Sequence, residues 1–210
     1  MENTVHQTIE RKIKKQPGGK LLFLSDFRGL GSNPTIRKAI SRLTKEKKIN
    51  RVSQGIYVVP EIDPVLGELS PSLESIAEAV AKREHVKIKP AGPFALHKLG
   101  LTTQVPMKLV YITDGVRRKI KVGRAIIKFE ATTRKKLALQ GEISSLIVQA
   151  LEELGTENIQ PEIKQKIKEL MQKEDRKKLM TDIKLAPARI SEYLYSLLKE
   201  QYNDRIVKSK

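Results

Sequence analysis

Apolar residues recur at helical spacing from Asn33 onward, with Ile36, Ala39, Ile40 and Leu43 on one face and Thr35, Arg37, Lys38, Ser41, Arg42 and Lys45 on the other. The pattern predicts an amphipathic helix capped by Asn33, with Pro34 at the first helical position, where a missing N–H is no loss. Upstream, Val5, Ile9 and Ile13 fall on one face of a leading helix that Pro17-Gly18-Gly19 stops. Ser25 and Asp26 open a shorter helical stretch through Leu30, in which Phe27 and Leu30 can pack on the helix that follows. Downstream, Ile49–Ser53 and Ile56–Val59 are strand-like runs joined by Gln54-Gly55, a tight turn in which the glycine can take positive φ.

Two short helices followed by a hairpin, over residues 20–60, is the order of a winged helix-turn-helix, which seats its second helix in the DNA major groove and its hairpin beside the backbone. Charge follows the same order. Between Lys38 and Arg51 the cations are Lys38, Arg42, Lys45, Lys47, Lys48 and Arg51, against Glu46 alone. The candidate DNA-binding residues are therefore Asn33, Thr35, Arg37, Lys38, Ser41, Arg42 and Lys45 on the helix and Lys48, Arg51 and Gln54 on the hairpin, side chains of the types that reach base edges and phosphates. The competing reading is a protein-interaction module that uses the same scaffold and leaves its charged helix face solvated.

Residues 61–72 are proline-rich and acidic where their neighbours are basic, and read as a linker between a domain at 1–60 and a second at 73–210. Ser72 caps a helix carrying Leu73, Ile76, Ala77, Val80 and Ala81. Val86–Lys89 reads as a strand and Gly92–Leu99 as a short helix. Lys108–Thr113 ends at Asp114-Gly115, a hairpin signal, and Lys119–Val122 passes through Gly123-Arg124 into Ala125–Ala131, which together predict a three-stranded antiparallel meander. From about residue 141 the pattern turns helical. One helix carries Ile143, Leu146, Ile147, Ala150, Leu151 and Leu154 and ends at Gly155, a second carries Ile163, Ile167, Leu170 and Met171, and a third spans Pro187–Tyr202. The final RIVKSK reads as a frayed basic tail. The fold class is thus mixed α/β (α+β), with a small antiparallel sheet and C-terminal helices in the second domain.

Composition sharpens the choice of partner. The 210-residue chain has 41 Lys+Arg against 24 Asp+Glu, a formal charge of +17, and a pI of about 10.0, so polyanions are its natural partners and binding should weaken steeply with salt. Double-stranded DNA leads that class, because aromatics make up only 4% of the chain and Trp is absent, leaving few rings on which single-stranded bases could stack. No apolar run approaches the length of a membrane span and no signal-like N-terminal stretch is visible, so no membrane partner is expected. Zero cysteines excludes disulfides and thiolate metal sites and fits a cytoplasmic protein. His6, His85 and His97 show no ligand spacing, and neither a metal nor a cofactor is expected.

An enzyme is the competing class. Pro17-Gly18-Gly19-Lys20 hints at a phosphate loop, yet its glycine spacing is wrong and Leu21 stands where a magnesium site needs Ser or Thr. No Ser/His/Asp order is visible, and Glu152 and Glu153 lie on an amphipathic helix as solvent-facing residues. A nuclease built from scattered acids would differ from a repressor by destroying DNA in a metal-dependent way. A second basic cluster, Arg117, Arg118, Lys119, Lys121, Arg124 and Lys128, has three readings: an extension of the DNA footprint, a surface for an acidic partner, or a solvated sheet face, since alternation sets Lys119 and Lys121 opposite Ile120 and Val122.

Three segments carry a family resemblance: GIYVVP at the end of the hairpin, PAGPFALHKLGLTTQVP, and LVYITDGVRRKIKVGRAIIKF. With the basic N-terminal module they resemble the AbiEi family of type IV toxin-antitoxin antitoxins, in its DUF6088-like branch, over most of residues 5–155. The second segment, with Ala95, Leu96, His97, Leu99, Gly100, Leu101 and Pro106, is the more discriminating. The resemblance implies a transcriptional autorepressor encoded beside a nucleotidyltransferase-like toxin, with an N-terminal domain that binds the promoter and a C-terminal domain that supports repression and antitoxicity. Repressors often read paired half-sites, so a dimer or two copies on the operator is the corresponding expectation. The same motif has a physical reading, in which Gly92 and Gly100 give a turn and a helix stop while Leu96 and Leu99 pack inward.

Overall fold

A computed structural model describes residues 4–208, with side chains described through Tyr202. The chain divides into two compact units: one runs to Arg83 and includes Ile120–Arg124, and the other comprises the remaining residues from Glu84.

The first unit opens with α1 (Val5–Lys14), whose Thr4 and Gln7 cap it reciprocally and whose Ile9 and Ile13 are buried. Strand β1 (Leu21–Phe23) runs into a single 3₁₀ turn at Leu24–Phe27, shorter than the helical stretch through Leu30 that the sequence suggests. Then come α2 (Asn33–Lys45), β2 (Asn50–Ser53) and β3 (Ile56–Val58). The strands form an antiparallel sheet in the order β1-β3-β2, with Leu21 opposite Val58 and Arg51 opposite Tyr57. Ser53 then pairs with Ile56, so Val52 is an extra residue on its strand and bulges it. Phe27, Ile36, Ile40, Leu43 and Ile49 join Ile9 and Ile13 in one core, which is why α2 turns its opposite face to water.

The segment expected to be a linker is instead a hairpin, β4 (Glu61–Asp63) and β5 (Gly67–Leu69). Its turn is closed by the Asp63 carboxylate, which accepts from the Val65 and Leu66 N–H groups at 2.8 Å each. After it, α3 (Leu73–Glu84) belongs to the first unit through Arg83, so the division falls beyond this helix rather than at 61–72. The Arg83 guanidinium bonds Asp26 and Ser25 and lies 4.6 Å from the Phe23 ring centroid, tying the end of α3 to the β1 region.

In the second unit, β6 (Ile88–Ala91), α4 (Pro93–Lys98), β7 (Lys108–Thr113) and β9 (Ala125–Ala131) build a sheet with β8 (Arg118–Val122), in the order β6-β7-β9-β8. The meander expected from the turn signals does not form: β7 and β9 are parallel, with Lys108 opposite Ile126 and Thr113 opposite Ala131. Asp114 does not close a β7–β8 hairpin but accepts from the Lys87 N–H at 2.7 Å. β7 gains a partner on both edges this way, which suits its run Leu109, Tyr111, Ile112 and Thr113, all buried.

The helices follow: α5 (Arg134–Leu137), α6 (Glu142–Leu154), α7 (Pro161–Lys173), α8 (Arg176–Leu185) and α9 (Ala188–Lys208). α6 is the hub, with Ile147, Val148, Ala150 and Leu151 packed among Ile167, Met171, Ile183, Ile190 and Leu194. α8 has no counterpart in the sequence reading. α9 runs on through Lys208, so the backbone of Arg205–Lys208 is helical where a frayed tail was expected, and residues 209–210 lie outside the described residues.

Candidate nucleic-acid interface

The candidate surface begins at the N-terminus of α2. Ser32, in extended backbone at φ −67° and ψ 152°, is the cap: its hydroxyl accepts from the Thr35 N–H at 3.4 Å and meets the Thr35 hydroxyl at 2.8 Å. Asn33, expected to cap, is instead the first helical residue, with Pro34 following. Its side chain is left free to face solvent.

From there the helix sorts its residues by period. Ile36, Ala39, Ile40 and Leu43 are 0–4% exposed, while Asn33, Thr35, Arg37, Lys38, Ser41, Arg42 and Lys45 are all exposed. Lys48, Arg51 and Gln54 on the hairpin are exposed as well. The structure therefore presents every candidate DNA-binding residue to solvent within one unit. Among the described residues, no carboxylate pairs with Arg37, Lys38, Arg42, Lys45, Lys48 or Arg51, although Arg51 Nε donates to the Ser53 carbonyl at 3.4 Å. Glu46, the one acid in this stretch, instead lies 3.8 Å from His6 Nε2, and Glu10 is paired with Lys14 at 2.9 Å. Glu10 is held below the usual glutamate range by its Lys14 hydrogen bond, with Lys48 adding to the attraction.

The junction between helix and hairpin carries a feature the sequence reading passed over. The Lys47 N–H donates to the Thr44 carbonyl at 3.1 Å and the Lys48 N–H to the Leu43 carbonyl at 2.9 Å, the paired bonds of a Schellman ending. Such an ending puts its first residue past the cap in the left-handed region, where glycine is favoured, and here that residue is Lys47 at φ 56°. Lys47, in strained backbone, and Lys48 thus stand side by side and exposed at the helix end. The sequence signal was a helix C-terminus followed by Lys-Lys where Gly is the favoured residue. The hairpin turn itself uses Gly55 at φ 73°, whose carbonyl accepts from the Leu24 N–H at 2.9 Å.

The second basic cluster is divided. Lys121 and Arg124 belong to the first unit, where the Ser53 hydroxyl donates to the Lys121 carbonyl at 2.8 Å, while Arg117, Arg118, Lys119 and Lys128 belong to the second. Arg118 is paired with Glu84 at 2.5 Å and stands 5.1 Å from the Phe129 ring centroid, and Lys128 is paired with Glu130. Arg117, Lys119, Lys121 and Arg124 remain exposed.

A family comparison matches residues 8–179 to a family of unknown function, DUF6088. The chain belongs to the DUF6088 family. The matched region of this DUF6088 member takes in α2 and the basic hairpin and runs through the second unit as far as Leu179 in α8, leaving α9 beyond it. No curated protein matches the chain. Among its described residues, no helix is long and apolar enough to cross a membrane.

Proposed function

We propose that this chain is a DNA-binding transcriptional regulator, reading duplex DNA with α2 and its hairpin as a winged helix-turn-helix. The observation that carries the reading is the sorting of α2, in which the whole apolar face is buried and every candidate base- or phosphate-contacting residue is exposed and unneutralised by a described carboxylate. An exposed row of Arg, Lys, Ser and Thr on a helix backed by a three-stranded sheet has the dimensions and chemistry of major-groove readout. The adjoining cations supply the salt-dependent phosphate contacts that set register.

The finer reading rests on the resemblance of the Pro90–Pro106 and Leu109–Phe129 segments to AbiEi antitoxins. On it, the protein represses its own promoter from the cytoplasm, as two copies on paired half-sites, and acts as the antitoxin to a nucleotidyltransferase-like toxin encoded alongside. It needs neither catalysis nor a cofactor for this.

The test is a salt series of binding to the duplex upstream of its own gene against a shuffled duplex of equal length. The expected result is a preference for the native duplex that persists near ~0.15 M salt. Equal, salt-labile binding to both duplexes overturns sequence reading, and metal-dependent loss of the DNA replaces the regulator with a nuclease.

A further inference from the structure

A cleft of about 600 Å³ opens in the second unit where β6, β7 and the start of α4 face the C-terminal half of α6. Its size is that of a small-ligand or single-side-chain site. At its wall lies Gln149, only 2% exposed, whose Nε2 has no hydrogen-bond partner. A buried amide donor left unpaired costs about 1–3 kcal/mol, so a purely structural glutamine would be expected to find a carbonyl. Here the donor borders a cavity, and the missing acceptor is one that a ligand can bring.

The rest of the lining narrows the ligand. Pro93, Pro106, Met107 and Val110 give it an apolar wall, with Met107 60% exposed. The ionised groups lean acidic, with Glu130, Glu152 and Glu153 against Lys108 and Lys136, in a chain whose net charge is +17. Lys136 is already paired with Glu152 at 2.8 Å and Lys128 with Glu130, whereas Glu153 is exposed and pairs with no described residue. The cleft thus offers an unpaired carboxylate, an unpaired amide donor and an aliphatic surface, with Lys108 the lining cation that no described carboxylate pairs. A nucleic-acid phosphate can accept from the amide but is repelled by Glu153 and gains nothing from the aliphatic surface.

We propose that this cleft binds a lysine or arginine side chain presented by a peptide segment of a partner protein. The cationic head meets Glu153, the aliphatic stem lies along Met107 and the prolines, and a flanking peptide carbonyl accepts from Gln149 Nε2. Its lining belongs wholly to the second unit and includes none of the candidate DNA-binding residues.

The experiment uses the intact, isotope-labelled protein and an acetylated, amidated Gly-Arg-Gly tripeptide, read at the Gln149 side-chain amide and the Met107 methyl by NMR. Saturable shifts of both signals are expected, with the Glu-centred tripeptide silent and 1,4-diaminobutane binding more weakly by roughly tenfold or more. Glu153→Gln, on an exposed helix face, and Gln149→Leu, which removes the amide donor, are each expected to weaken binding by roughly tenfold as read at Met107. Absence of shifts, equal shifts with the acidic peptide, or unchanged affinity in Glu153→Gln overturns the proposal. Equal affinity for the diamine and the Arg tripeptide would mean that charge suffices and that Gln149 recognises no peptide carbonyl, which also overturns it. Glu153→Gln keeps the test decisive should Gln149→Leu fold poorly.

Discussion

The Ser144 hydroxyl of α6 donates to the buried Asp182 carboxylate of α8 at 2.5 Å. The same carboxylate accepts from the N–H groups of Gln140 at 2.6 Å and Gly141 at 2.9 Å, and Glu174 accepts from those of Ile143 and Ser144 at 2.8 and 2.9 Å. The helix at the centre of the second core therefore has the N-terminal donors of Gly141, Ile143 and Ser144 satisfied by acids from elsewhere in the chain, since Gly141, its own cap residue, has no side chain to do so. Lys89 donates to the Leu139 carbonyl beside this network, and burial pulls its pKa down against the opposing attraction of Asp182.

Asp182→Ala is expected to cost about 3 kcal/mol of stability, because it strands two N–H groups and a hydroxyl at a site with no exposure. Gly141→Ala is expected to destabilise the protein too, since a Cβ there would overlap the Ser144 hydroxyl and the Glu174 carboxylate. Denaturant unfolding of both variants checks this. A loss under 0.5 kcal/mol, roughly the size of a surface change, would show the cap to be dispensable.

Glu174 gives the cap a pH dependence. Burial raises its pKa, but the N–H donors of Ser144, Ile143 and Asp175 outweigh that and hold it below the usual glutamate range. With the folded pKa depressed, its contribution is full above the unfolded value of about 4.5 and is lost as pH falls through the folded one. Unfolding free energies for the wild type and Glu174→Gln are expected to converge as the pH is lowered from neutral into that range. A constant gap between them would show that the carboxylate charge plays no part.

The elements legible in the sequence are those whose burial is periodic. α1, α2, α6 and α7 each repeat apolar residues on one face, and for α2 that single fact also fixes which side chains are exposed, so the candidate face was legible with it. α8 was not legible because its inward positions include Asp182 beside Ile183, and the value of a buried carboxylate depends on Gln140, Gly141 and Ser144, some 40 residues away. The β7–β9 pairing was hidden for a similar reason: Asp114-Gly115 announces a turn but does not name the strand that follows in space. The unbroken apolar run Leu109–Ile112 was the available sign of a central strand. The 61–72 hairpin was masked by prolines and acids whose local role, with Asp63 closing the turn, resembles that of a linker.

Lys47 tests whether the helix ending trades stability for charge. Replacing it with Gly removes the left-handed strain at φ 56° and is expected to stabilise the protein by roughly 1 kcal/mol while weakening DNA binding. Thermal unfolding and duplex affinity measured on the same variant decide it. Stabilisation with unchanged affinity would leave the lysine without a role at the interface.

On the proposed reading, α2 and the hairpin are expected to fail in different ways. Arg37→Ala and Arg42→Ala each remove a planar, two-pronged donor from the exposed face of α2, and each should weaken binding to the native duplex by about 1–3 kcal/mol while sparing the shuffled one. Lys48→Ala removes a point charge next to the helix end, so it should weaken both duplexes alike and make the dependence on salt shallower. None of the three is buried, so unfolding midpoints should stay near the wild type and the affinities can be compared directly. Unchanged affinity in both arginine variants would move base readout off α2. A sequence-specific loss in Lys48→Ala would make that lysine a base reader and shift the groove contact toward the hairpin.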